Sequence, residues 1–460
     1  MPINESKMVQ SVYDTLFNAY TKTPPGGLPA GSQENKMFMI MVPGGEPIDS
    51  KQYANPLSPN NPQGTPAAIE NFSRLVDRLP FVKTAYVDST KRVSEVYKAV
   101  VEGANITPQP ENPAQKAAYD KAYDLITDEA DDFDDAGQPI KIPVDSPLYA
   151  NYKRKQNAYA DAVASFMAEF SKYDLTKPAD QRAWSIIGPS KQRILTTAWN
   201  DFQTAQAKKV EDALATIAQS SQNQIGRVFK DAQERLTLLE KGSVRDPMEK
   251  LYYSYAMPAN WYSSNAAQGW TSMAFSSGKY QVNQTSNYTS YGGNVGFSLG
   301  LWSAGGGFNR SVEQRHMDTQ TENLDVSFRY ARISIDRPWM NGMVFDLPGW
   351  TYSPVAAGGV SSGNPATAEG TLMTIVPTGF IAVRDLKISA NWSSAESDYI
   401  RKQLSANAGF GWGPFSIGGA YKSDSSQFNF KSEFDGRTIN APGLQIMGYI
   451  CTVLPLAPKA

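Results

Sequence analysis

A serine, a histidine and a carboxylate in the right order make a nucleophile. One stretch of the chain begins that way: Gly296, Ser298 and Gly300 match the G-x-S-x-G pattern of a nucleophile elbow. An elbow needs a strand, a sharp turn and a helix, whereas Ser298 lies inside an alternating stretch, Val295 to Leu301, that reads as strand. The triad would also have to use His316, eighteen residues on, with Glu313 the one acid between them. His316 is the single histidine of 460 residues and Cys451 the single cysteine. That scarcity excludes a disulfide framework, a zinc finger, an iron–sulfur cage and a His-rich metal site within one chain. It also removes the usual proton carrier at neutral pH. His316 sits in a polar connection and Cys451 in an apolar terminal run, so a surface imidazole and a packed thiol are expected.

The remaining candidates are weaker chemistry. Asp132, Asp134 and Gly137 open like a calcium loop, but its twelfth position is Pro143 rather than Glu, and a solvated turn is expected there. The glycine pairs at Gly44, Gly305, Gly358 and Gly418 lack the Lys-Ser/Thr sequel of a phosphate loop. Arg332, Asp336, Arg337 and Trp339 could form an ion pair with a stacked indole, and are read as a recognition site or a structural corner. The predicted catalytic, cofactor and metal residues are therefore none. A net charge of −2 gives no reason to expect nucleic acid.

Three regions would position these groups. Residues 1–63 form a Pro/Gly-rich arm with a short amphipathic helix over 5–20 and a strand at Met37–Val42. Residues 64–250 read as a bundle of helices almost throughout. From 190 to 241 there is no proline and one glycine, Gly226, which predicts either one helix on the order of 75 Å long or two broken near 219–224. Residues 251–460 hold seven of the nine tryptophans and alternate with period two, the mark of antiparallel β. Strands are expected at Leu324–Tyr330 and, after a one-residue phase shift that suggests a bulge, at Ile333–Ile335. Others are expected at Leu386–Trp392, Leu404–Phe410, Phe415–Tyr421 and Leu444–Val453.

Two glycine–aromatic stretches, 294–311 and 407–423, share Asn-x-Gly-Phe, an aromatic-Ser pair and Gly-Gly, and suggest an internal repeat. The expected fold class is thus α+β, an elongated helical bundle followed by a sandwich-like antiparallel β domain with internal duplication. Residues 1–20 lack the blocks of a secretion signal, and the best apolar run there falls short of the ~20 residues of a spanning helix. The chain reads as cytoplasmic as synthesised, with release by a signal-independent route left open.

Shape rather than chemistry dominates, so the first reading is a non-enzymatic binding or assembly protein, a homo-oligomer or the partner of another protein. The alternative is a membrane-engaging, pore-forming effector, toxin-like, whose polar alternating segments at 281–291 and 314–323 would rearrange against lipid. The third is a hydrolase with an unrecognised carboxylate pair.

Overall fold

The computed structural model describes Val12 and residues 37–82, 88–106, 113–133, 139–170, 172–173, 177–218, 222–246, 248–264, 270–276, 302–304, 313–407, 409–422 and 427–459. The principal strands of the two main sheets are β1 (Met37–Ile48), β2 (Thr271–Ser276), β3 (Trp302–Ala304), β4 (Glu313–Arg315), β5 (Glu322–Asp336), β6 (Ile375–Asn391), β7 (Phe410–Trp412), β8 (Phe415–Lys422), β9 (Gln427–Phe430) and β10 (Leu444–Val453); the short strands Tyr255–Met257, Glu433–Phe434 and Thr438–Ala441 join the larger sheet. The central sheet runs β1-β10-β6-β5-β2 and the second β4-β3-β7-β8-β9, all antiparallel. Helices α1 (Pro66–Val76), α2 (Val93–Gly103), α3 (Pro113–Ile126), α4 (Pro147–Phe170), α5 (Pro178–Thr204), α6 (Ala207–Ala218), α7 (Gln222–Leu238) and α8 (Ser394–Ala406) complete a mixed α+β architecture.

Strands β6 and β10 are apolar on both faces because both faces are covered. On one face Met39, Met41, Val326, Phe328 and Val383 share a core with Trp302, Trp412, Phe415 and Ile417 of the second sheet. The rings of Phe328 and Phe415 lie 5.0 Å apart, a contact worth about 1 kcal/mol beyond the area it buries. Buried Gln445 ties the sheets together: its Oε1 accepts from Ser416 N at 2.8 Å and its Nε2 donates to Ser416 O at 3.2 Å. On the other face Phe72 and Leu75 of α1, with Trp261, cover Ile333, Phe380 and Tyr449.

The arm belongs to this core. β1 pairs with β10 of the same chain, Met37 opposite Thr452 through Ile48 opposite Leu444. Of the helix expected over 5–20, only Val12 is among the described residues; it is helical and buried against Met39, Met41 and Ala164.

Several expectations are corrected. The stretch 190–241 is not one long helix. Gln206, in the left-handed region at φ +59°, separates α5 from α6, and α7 starts again at Gln222. Pro178 opens α5 in its first turn, and Pro189 lies inside that helix. Pro189 follows Gly188, where the Trp184 ring packs so closely that a Cβ would meet it at 2.8 Å. Of the acidic run, Thr127–Phe133 is a strand paired with Pro139–Asp145, with Lys141 opposite Asp131 and 2.6 Å from it, and the turn expected about Asp134 and Gly137 lies outside the described residues. The helical region does not form a core of its own. Tyr97, Val228, Phe229 and Leu236 pack with Trp339, Phe345 and Trp350 from the β half.

In the β half, residues 404–406 belong to α8 instead of a strand. Ser393 caps that helix by accepting from Glu396 N, and Asn407, at φ +49°, ends it. The phase shift after Tyr330 is no bulge, since Tyr330 to Ser334 pair with β6 without interruption. Val326, Phe328 and Tyr330 face the second sheet, whereas Ala331 and Ile333 face the α1 layer. The covered face changes along one strand, within a stretch whose pairing is uninterrupted from Arg329 to Ser334.

Candidate functional site

The Arg332–Trp339 corner ends β5, and its four residues diverge. Arg332 turns to α4, donating to Asn157 Oδ1 at 3.2 Å and Asp161 Oδ1 at 3.4 Å. Arg337 is buried on the opposite side, donating to Pro377 O and, at 2.6 Å, to Val76 O. Val76 is the last residue of α1, so the guanidinium meets the negative end of that helix. Burial lowers the Arg337 pKa to about 10, although Asp77, Cys451 and Asp336 oppose the shift. Burial raises the Asp336 carboxyl, with Lys153 acting against it. The Trp339 indole lies against Tyr252 (5.4 Å) and Tyr97 (5.9 Å) and donates to Ser254 Oγ at 3.4 Å. Ser254 N in turn donates to Ser73 Oγ of α1 at 2.9 Å.

Beside this corner, reached through the Trp339–Tyr252 ring contact, lies a cleft of about 150 Å³. The cleft is lined by Ser73, Arg74, Asp77 and Arg78 at the end of α1, and by Asp88, Thr90, Lys91 and Arg92 on a short strand. Leu251 and Tyr252 close it. Asp77 accepts from Ser94 N (2.8 Å) and Ser94 Oγ (2.6 Å) and so caps α2, whose own N-cap, Arg92, supplies no side-chain acceptor. Burial holds the Asp77 carboxyl above its ordinary range despite those bonds.

A charged network forms the cleft's back wall. Arg74 grips Glu249 bidentately (2.8 and 2.6 Å) and Glu70 at 2.9 Å, while Arg92 reaches Glu249 at 3.0 Å. The Arg74 hydrogen bonds, backed by Arg92, bring the Glu249 pKa down to about 2. Glu70 is fully buried. Burial pushes its pKa up, but the Ser243 hydroxyl, the Val244 amide and Arg74 together hold it below its ordinary value. Arg78 pairs with Glu46 of β1 at 2.8 Å. Guanidinium, ammonium, carboxylate and hydroxyl groups meet here, a chemistry that holds charged and polar groups.

Trp339 packs on Tyr252 of the cleft lining and Arg337 interacts with Asp77 there, whereas Asp336 acts on Arg337 and Arg332 belongs to another contact. Ser298, Asp134 and Gly137 lie outside the described residues. His316 is exposed. Cys451 is fully buried, and burial pushes its thiol pKa up, which makes it unreactive. Among the described residues no group of three or more His, Cys, Asp or Glu is placed to hold a metal. No helix of theirs is long and apolar enough to cross a membrane. Sequence reasoning missed the cleft because Arg74, Arg78, Lys91 and Arg92 fall in no recognised motif. The one local signal was two acids, Asp77 and Asp88, interleaved with them beside a proline. No protein-family model, curated protein or solved structure matches the chain.

Proposed function

We propose that the chain is a non-enzymatic binding and assembly protein, with the cleft beside the Arg337 corner as a recognition site. The observation that carries this reading is the cleft's wall, in which Arg74, Arg92, Glu70 and Glu249 fix one another before any ligand arrives. Preorganised charge of this kind favours recognition. Assembly is supported by the outer side of α5, where Ile186 is 78% and Ile194 56% exposed while Leu195 and Trp199 are buried inward.

The finer architecture belongs to the same proposal. We read the two sheets as a sandwich and the two glycine–aromatic stretches as a duplicated hairpin unit. In the aligned stretches Trp302 takes the place of Phe415. β3 pairs with β4 just as β8 pairs with β9, and β3 and β7 lie side by side with Trp302 opposite Trp412.

Size-exclusion chromatography with light scattering, run beside dye-loaded liposomes, tests the reading. A stable oligomer in buffer that Ile186→Asp weakens, with liposomes left intact, is expected. Dye leakage accompanied by lipid-dependent ring-sized oligomers would overturn it in favour of a membrane effector.

A further inference from the structure

We propose that the cleft between the end of α1 and the strand Asp88–Arg92 binds a phosphate group, held by Lys91 and Arg92. This rests on the binding reading above and names its ligand chemistry. Most charges that face the cleft are already engaged. Arg74 is taken by Glu70 and Glu249, Arg78 by Glu46, and Asp77 by the N-terminus of α2. Lys91 is exposed, and its ammonium has no partner among the described residues. Arg92 gives one Nη1 bond to Glu249 and stands 3.7 Å from Glu95 through Nε, which leaves Nη2 open. Against these donors stands Asp88, one of whose oxygens accepts from Thr90 N at 2.8 Å.

The backbone gives a second, independent observation. Strand Asp88–Arg92 pairs Lys91 with Leu79 and Asp88 with Pro80, so Ser89 and Thr90 bulge out of register. Thr90 sits at φ +62°, a left-handed conformation that a β-branched residue rarely adopts. Bulges re-aim side chains beside binding sites, and such strain persists where the surroundings impose it. Here the bulge brings Asp88, Thr90, Lys91 and Arg92 all to the cleft lining.

A volume of about 150 Å³ holds about five waters at ~30 Å³ each, or one tetrahedral oxyanion with part of its hydration. A doubly charged phosphate suits an ammonium point charge next to an open guanidinium edge. A single carboxylate competes less well against Asp88.

Isothermal titration of the full chain with inorganic phosphate at low ionic strength tests the site. Saturable binding is expected, weakened about tenfold or more by Lys91→Glu and strengthened several-fold by Asp88→Asn. Both residues are at the cleft's open edge, and unchanged urea midpoints will show that the variants fold. Phosphatidylcholine vesicles doped with phosphatidic acid distinguish the two sources of the group. Pelleting with these vesicles, reversed by free phosphate and lost in Lys91→Glu, assigns a lipid headgroup; phosphate binding without pelleting assigns a soluble phosphate. No phosphate binding by the wild type or Asp88→Asn, or binding that Lys91→Glu leaves intact, would overturn the site. The oligomer and leakage measurements judge the broader reading separately.

Discussion

Replacing Glu249 by Gln removes the charge that joins the two arginines of the cleft wall. Its carboxyl is held near 2 against an ordinary value of 4.5, a difference corresponding to about 3 kcal/mol. Solvent screens part of that, since the side chains of Glu249 and Arg92 are 28% and 40% exposed, although Arg74 is only 16% exposed. A contribution of about 1–2 kcal/mol remains, above the usual surface pair because Arg74 binds both carboxylate oxygens.

The pH dependence gives this figure a signature. A carboxyl whose folded pKa is depressed stabilises the fold fully above its unfolded pKa, near 4.5, and loses that contribution as pH falls towards 2. Urea unfolding followed by tryptophan fluorescence should therefore separate wild type from Glu249→Gln by about 1–2 kcal/mol at neutral pH. The gap should narrow below about pH 5 and close near pH 2. Glu70 also has a depressed pKa, but it is present in both proteins and cancels from the difference. A gap independent of pH, or none at neutral pH, would refute the idea that Glu249 works through its charge on Arg74 and Arg92.

Gln445→Leu should cost about 2 kcal/mol in urea unfolding, because it strands Ser416 N and Ser416 O inside the contact between the sheets. Arg337→Met should cost about 3 kcal/mol by the same measure, since it deprives the carbonyls of Val76 and Pro377 of a donor and leaves Asp77 without its nearby cation. Ser393→Ala should cost about 1 kcal/mol by removing the cap of α8, with Ser393→Asp restoring most of the loss.

The elements that the sequence disclosed are those whose pattern is local. Period-two alternation marked β5 and β8, and the apolar run 444–453 marked β10, a strand covered on both faces. α8 was hidden although its signal was present: Ser393 and Glu396 have capping-box spacing. Glu396, fully buried, reaches across the chain instead, accepting from Asp318 N at 2.8 Å and Arg315 Nη2 at 3.2 Å. The break at Gln206 carried no glycine or proline, so nothing local marked a left-handed residue there. Of the site, the sequence pointed to Arg337 and Trp339 near the cleft, but the ion pair with a stacked indole expected of the four residues does not form, because they turn to different partners. The cleft itself was not legible, because its walls come from residues 70–78, 88–92 and 249–252, which only the tertiary fold brings together.

Four buried polar contacts join distant parts of the chain. Glu70 meets Ser243, Arg337 meets Val76, Asn341 meets Asp231 at 2.7 Å and Tyr97 through its backbone N at 2.8 Å. Each bond joins segments more than a hundred residues apart, so each penalises any alternative packing that leaves a buried donor or acceptor alone. Two of these joints use α1, where Glu70 holds Ser243 and Val76 holds Arg337, and a third bond from the same helix joins Ser73 to Ser254. The same helix supplies Arg74, and the residues just after it supply Asp77 and Arg78. The cleft is therefore built beside a helix that buried hydrogen bonds tie to three distant segments. That location accounts for a strained Thr90 being sustained at its rim. A wall fixed from three directions has little freedom left to lose when a ligand binds, so the residues free to decide affinity are those at the open edge, Asp88, Lys91 and the outer nitrogen of Arg92.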